Sequence, residues 1–258
     1  MNLAIGGFDG VHFAHQKLIS ISDEVLIIDK NSTLTPYFTR CDYIKKPCHL
    51  YKLDEIKNLS YKQFIDLIKQ KFSPKEITIG YDFRFGKDRK GSILDLKNYF
   101  KVNEIQEIKI DNIAVHSKII RNFIKNGNIK KANKFLNHTY KIKAIQIKGQ
   151  GIGSKQLLAT INFKPIYNYI IPKNGVYLTL INKIPSLTFI GIRSTDNNFS
   201  IETHLLNDFI HNEIYDIEFI DFLRENKRFN SIDELKKAII TDKQNAINFF
   251  RSKKYDFK

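Results

Sequence analysis

The spacing of the apolar residues changes once along this chain, and that change limits the fold more than any composition figure does. In the first half, short apolar runs at residues 3–5, 25–28, 77–79 and 105–110 read as buried strands. Helix-period segments lie between them. Phe64, Leu67, Ile68 and Phe72 share one face behind a Ser60/Gln63 capping box, and Ser92 with Asp95 opens another helix before Leu96 and Phe100. Strand and helix in alternation predict a doubly wound α/β domain, a parallel sheet covered on both faces.

After Tyr140 the helical period disappears. Apolar alternation at residues 142–147, 176–181, 187–192, 200–206 and 214–222, punctuated by Gly, Pro, Asn and Asp, predicts an antiparallel β-barrel or sheet. One long helix closes the chain, capped by Ser231 and Glu234, with Ile232, Leu235, Ile239, Ala246 and Phe249 on one face. The boundary is expected near residues 137–141, which divides the chain into domains at 1–139 and 140–258.

The 258 residues are 42% apolar, which excludes a disordered or collagen-like chain, and Lys+Arg 42 against Asp+Glu 27 leaves a net charge of +15. Such an excess favours a phosphate-bearing partner: nucleic acid, an acidic membrane or a nucleotide. Only eight of the basic residues are Arg, and a general drift toward Lys, Ile and Asn accounts for much of the excess. Cys41 and Cys48 are too few for a disulfide framework and lack metal-site spacing, which fits a reducing cytosol. No apolar run approaches a membrane span, so a soluble cytoplasmic protein is expected, with no membrane partner.

The most chemical segment is Gly6-Gly7-Phe8-Asp9-Gly10-Val11-His12-Phe13-Ala14-His15, which leaves the first strand and enters a helix. Glycines there let the backbone approach a ligand, while the new helix aims unpaired N–H groups and its positive end at an anion. His12 and His15 can both serve the same site as donors to a phosphate oxygen. Read without further context, the glycines serve a tight turn and the histidines are solvated cap residues.

The whole string closely resembles the GxFDGVHxGH signature of the riboflavin kinase/FAD synthetase family, a branch of the HxGH nucleotidyltransferases. Ile79-Gly80-Tyr81-Asp82-Phe83-Arg84-Phe85-Gly86 resembles that family's VGxDFRFG loop, and Val115-His116-Ser117-Lys118-Ile119-Ile120-Arg121 resembles its ISSTxIR motif with two hydroxyls replaced. The resemblance implies catalytic roles for His12 and His15. It implies ATP contacts from Gly7, Phe8, Asp9, Ser117 and Arg121, and flavin contacts from Asp82 and Phe83. The family's FDPHP string is replaced by Ile28-Asp29-Lys30-Asn31-Ser32.

In the second half, residues 148–162 resemble GxxxGRxLGFPTAN, a nucleotide loop, with the Arg, the Leu-Gly pair and the Pro altered. Gly149 and Gly153 would bind ATP, and Thr160 and Asn162 would be Mg²⁺ ligands, both supplying hard oxygen atoms. Ser200-Ile201-Glu202-Thr203-His204-Leu205-Leu206 resembles VEVHLLDF, which makes Glu202 the catalytic base of a kinase; as bare alternation it is an exposed polar strand face. Arg224 is a candidate for flavin contact.

The resemblance implies an enzyme of FAD biosynthesis that takes small-molecule substrates: ATP with Mg²⁺, and riboflavin and FMN on the way to FAD. One alternative keeps only FMN adenylyl transfer, with a degenerate kinase module. A basic nucleic-acid binder is a different class. It is disfavoured because the lysines are scattered and the Gly-His entrance would have no role, so no nucleic-acid partner is expected. A nucleotidyltransferase for another acceptor is disfavoured by the flavin-type loop and the second module. The sequence carries no signal for oligomeric state.

Overall fold

The computed structural model describes residues 1–148, 160–192, 198–207 and 212–254. They form two compact units, Met1–Ile120 with Phe135–Asn137, and Arg121–Lys134 with His138–Lys258.

The first unit is built on β1 (Asn2–Gly6), β2 (Glu24–Asp29), β3 (Cys48–Lys52), β4 (Glu76–Gly80) and β5 (Lys101–Ile105), a parallel sheet in the order β3-β2-β1-β4-β5. Helices α1 (Phe13–Ser20), α2 (Leu53–Ile56), α3 (Tyr61–Phe72) and α4 (Ile93–Lys97) fall between the strands. A small ladder, β6 (Lys109–Ile110) with β7 (Ile113–Ala114), precedes α5 (Ser117–Lys125), which passes into the second unit after Ile120, and α6 (Ile129–Leu136), which belongs to the second unit up to Lys134. Successive strand residues face opposite sides, and the core splits accordingly. Leu3, Ile5, Leu26 and Ile28 pack with Phe64, Ile65 and Ile68 of α3, whereas Ala4, Val25 and Ile27 pack with Leu18 and Ile19 of α1.

Local signals set the helix starts. Ser60 accepts from Gln63 N at 3.2 Å while Gln63 Oε1 accepts from Ser60 N at 2.8 Å, which closes the expected capping box of α3. The strand expected at 105–110 lies earlier. β5 pairs with β4 through a polar ladder in which Glu76 accepts from Lys101 (2.7 Å) and Asn103 (3.0 Å). β3 has no apolar alternation to announce it. The two cysteines, expected to fit a reducing cytosol, are instead joined: Cys41, in a 3₁₀ segment at Tyr37–Tyr43, is disulfide-bonded to Cys48 at the start of β3, with Cα atoms 6.1 Å apart, because the fold brings the segment before β3 back onto it.

The second unit is a closed barrel of β8 (Tyr140–Ile147), β9 (Ile161–Pro165), β10 (Gly175–Ile181), β11 (Ile184–Ile192), β12 (Phe199–Leu205) and β13 (Tyr215–Glu225), ordered β10-β11-β12-β9-β8-β13. β13 closes it by pairing with both β8 and β10. Every residue of β10 is buried, because Val176, Leu178 and Leu180 pack on Ala246 and Phe250 of the closing helix α7 (Ile232–Ser252) while Tyr177, Thr179 and Ile181 face the other way. On that second side the Thr179, Thr188 and Thr203 hydroxyls form a chain at 2.8 Å steps, satisfying three buried polar groups across three strands. The segment ahead of the barrel joins this unit through Asn133, which donates to Phe219 O and accepts from Tyr140 N, both at 2.8 Å. Among the described residues no helix is long and apolar enough to cross a membrane.

Candidate functional site

In the first unit, β1 is the strand at which the order reverses, since β2 and β3 lie on one side of it and β4 and β5 on the other. A ligand crevice is expected beyond the carboxyl end of such a strand. The chain there is the glycine and histidine segment. It turns sharply, with Phe8 at φ 47°, Gly10 at φ 88° and Val11 at φ 38°. At Gly10 the positive φ strains any side chain, and a Cβ 2.9 Å from Leu34 Cδ1 and 3.1 Å from Leu136 Cδ2 would force those side chains to shift. Asp9 Oδ1 accepts from the backbone N–H groups of Leu34 (2.9 Å) and Thr35 (3.1 Å), and Gly10 N donates to Thr35 Oγ1 at 2.7 Å. The Asp9 carboxylate therefore braces the turn from within.

His12 caps α1, its Nδ1 accepting from His15 N at a long 3.4 Å, which assigns the proton of the neutral ring to Nε2. The two imidazoles stack with centroids 3.5 Å apart and planes 17° apart, and Phe8 meets His15 edge-on at 5.3 Å. His15 Nδ1 is shut away from water with no hydrogen-bond partner. Burial, and then the charges of Arg40 and His116, push the His15 pKa from its ordinary 6.5 to about 3. At neutral pH the corner thus holds an uncharged imidazole, a hydrogen-bonding group that resists protonation.

Ser117 is brought to the same corner, its hydroxyl donating to Asp9 O at 2.7 Å. Arg121 lies four residues on in α5, one turn along the same face. His116 is held by Tyr81 OH (3.4 Å) and lies 3.7 Å from Glu107 Oε1, so the residue standing for a family hydroxyl is tied to the loops after β4 and β5. Asp82 is exposed after β4, whereas Phe83 turns inward, stacking on Phe85 with centroids 5.8 Å apart at the edge of the core. Lys30, after β2, has its pKa lowered by burial and by Arg89, with Asp82 pulling the other way, so these three charges share the same rim. Nothing in the sequence singles out Arg40 or Glu107, because each is defined by partners that only the fold supplies.

In the second unit, register makes the site. Asn162 of β9 lies directly opposite Glu202 of β12, an arrangement that puts paired Cα atoms about 4.5–5.5 Å apart. Thr160 is exposed one residue ahead of β9. Both Thr160 and Asn162 offer hard oxygen donors of the type Mg²⁺ takes, and among the described residues no cluster of three or more His, Cys, Asp or Glu is arranged for a metal. Gly149 and Gly153 lie outside the described residues. Arg224 points its fork at Asp242 of α7, with Nε 2.9 and 3.0 Å from its two oxygens and Nη2 2.7 Å from Oδ2, while Nη1 donates to Glu225 O at 2.9 Å. Any flavin contact from Arg224 is left to its remaining N–H groups.

Comparison with known proteins matches residues 136–250 to the riboflavin kinase family model and residues 48–122 to the FAD synthetase family model. A bifunctional riboflavin kinase/FMN adenylyltransferase of Buchnera aphidicola is 30% identical, covering 93% of this chain and 90% of its own. The trifunctional protein RibF/MnmA of Mycoplasmoides gallisepticum is 31% identical over 97% of this chain, which spans 40% of that longer relative. Among solved structures, one titled macrolide-efflux protein, from Streptococcus pneumoniae, superposes with a TM-score of 0.81 at 22% identity over 96% of this chain and 93% of its own, a likeness of fold.

Proposed function

Because the chain belongs to the bifunctional riboflavin kinase/FMN adenylyltransferase family, we propose that it makes FAD in two ATP-dependent steps, phosphorylating riboflavin in the barrel unit and adenylylating FMN in the parallel-sheet unit. One observation carries the reading: Asn162 and Glu202 meet as cross-strand partners in a compact unit distinct from the one that holds His12 and His15. Each step then has its own set of residues.

In adenylyl transfer an FMN phosphate oxygen attacks the α-phosphorus of ATP and pyrophosphate leaves. The nucleophile arrives ionised, so the protein's work is to place two anions together and absorb the charge of the transition state. The ring of His12 and the neutral ring of His15 supply N–H donors at the start of α1. The loop of Gly7, Phe8 and Asp9, with Ser117 and Arg121, holds the triphosphate, and Asp82 and Phe83 lie on the flavin side.

In the kinase step Glu202 takes the proton of the ribityl hydroxyl as that oxygen attacks the γ-phosphorus of ATP, the bond to the bridging oxygen breaks and ADP leaves. Gly149 and Gly153 would border the nucleotide, and Arg224 braces the flavin side through α7. Thr160 and Asn162 would hold Mg²⁺, which when bound screens the phosphate charge. The reading places both reactions in the cytoplasm, on small molecules, with no role for nucleic acid or membrane.

Chromatography of flavins after mixing the protein with riboflavin, ATP and Mg²⁺ tests it. FMN should form first and FAD follow. Conversion of supplied FMN to FAD without any phosphorylation of riboflavin would reduce the activity to adenylyl transfer alone.

A further inference from the structure

Among the described residues, Arg40 is the one charged side chain with no exposed surface at all. A guanidinium removed from water is tolerated only when its charge and its N–H groups are matched. Here they bind three separate pieces of chain. Nε donates to Tyr37 O at 3.1 Å within its own 3₁₀ segment, Nη1 donates to Gly7 O at 2.6 Å, and Nη2 bonds the Asp29 carboxylate at the end of β2. Burial pushes the Asp29 carboxyl up, but Arg40 outweighs it and holds the group below the usual carboxylate range.

The bond to Gly7 has a geometric consequence. Across a trans peptide the carbonyl and the following N–H point in opposite directions, and the described peptides are all trans. With Gly7 O fixed on the guanidinium, the Phe8 N–H is turned away from Arg40. Phe8 also sits at φ 47°, a region a bulky residue keeps only when its surroundings enforce it. Arg40 is such a restraint, and it comes from a part of the chain unrelated in sequence to the glycine segment.

We propose that Arg40 is a positioning residue for adenylyl transfer, fixing the Gly7–Phe8 peptide and with it the strained turn that leads from β1 into His12, without touching the nucleotide itself. The inference rests on the two-step reading above and deepens it. Arg40 acts on the reaction by holding the turn that sets the histidines against charge that develops during transfer, so its loss should appear in kcat more than in KM. The groups facing His15 are His12, Phe8, Arg40 and His116. The His15 ring resonance therefore reports whether the corner is folded.

The test uses the full chain with FMN and ATP, and compares Arg40→Lys with Asp29→Asn. A lysine keeps the charge but has no fork to join Gly7 O, Asp29 and Tyr37 O; an asparagine leaves the guanidinium on Gly7. Expected are a loss of about tenfold or more in kcat for Arg40→Lys, with KM for ATP within about threefold, and a loss of no more than about threefold for Asp29→Asn. In both variants the His15 ring should still titrate well below 6.5 by NMR. Arg40→Lys at wild-type kcat, or Asp29→Asn as damaged as Arg40→Lys, overturns the proposal. If Arg40→Lys loses the folded corner, Asp29→Asn decides alone: a small loss supports the proposal and one beyond tenfold overturns it. A wild-type protein that makes no FAD from FMN fails the two-step reading instead, a result visible before any variant is made.

Discussion

The two units place their chemistry in opposite ways. In the parallel-sheet unit the reactive groups are neighbours in sequence, within the one turn that joins β1 to α1, and the fold's task is to hold a strained loop. In the barrel, Asn162 and Glu202 are forty residues apart and meet only because β9 pairs with β12 in one register. A slip of one residue would turn every side chain of the strand to the other face. Local strain secures the first site and global pairing the second, so substitutions should separate the two activities.

The largest separation is expected at Glu202. Replacing it by Gln keeps the shape of β12 but removes the base, so phosphorylation of riboflavin should fall by about 10²–10⁴-fold while supplied FMN is still converted to FAD. Equal loss of both reactions would show that the barrel residue acts through stability rather than chemistry. The mirror experiment is His12→Ala. Removing one preorganised donor should lower adenylyl transfer by about 10²–10³-fold, so flavin chromatography should show FMN accumulating. FAD produced at the wild-type rate by that variant would remove His12 from the mechanism.

The same contrast explains what could be read from residue order. The segment from Gly6 to His15 was legible because a tight turn into a helix is a local event whose residue types are dictated within ten positions. Glu202 and Asn162 were each legible as chemical types, but their pairing was not, because register is settled by the pairing of the whole barrel. β9 was invisible, since Ile161–Pro165 is short and ends in Pro. The apolar density at 105–110 drew attention from β5, which pairs through Lys101 and Asn103 on Glu76. Arg40 had no local signature at all: its Gly7 and Asp29 partners lie 33 and 11 residues away.

A smaller effect, confined to one unit, should follow Gly10→Ala. Its φ of 88° disfavours a methyl group, which would also push Leu34 and Leu136 aside. Strain of about 1–3 kcal/mol is expected, with a lowered melting temperature and impaired adenylyl transfer. The barrel has its own core, so riboflavin phosphorylation should persist. If Gly10→Ala instead damaged both reactions alike, the two units would not be independent in stability.

The effect confined to the narrowest range of conditions is a pH dependence that belongs to the first unit. The folded state holds His15 neutral, with its pKa near 3 against an ordinary 6.5, chiefly by burial and then by Arg40 and His116. The unfolded chain therefore binds a proton at His15 before the folded one does. This stabilising contribution is fully present above pH 6.5 and is lost as pH falls from there toward 3, with a limiting slope of about 1.4 kcal/mol per pH unit for one proton. Paired carboxylates whose pKa values are depressed, Asp29 in this unit and Asp216 in the barrel, lose their contributions at lower pH. Between about pH 6.5 and 5 the histidine window stands apart from theirs. His15→Gln should flatten the fall in stability over that interval, as measured by urea unfolding followed by far-ultraviolet circular dichroism. An unchanged slope would mean that the His15 ring takes up its proton over the same pH range in the folded and unfolded protein, and that burial does not hold it neutral at the corner.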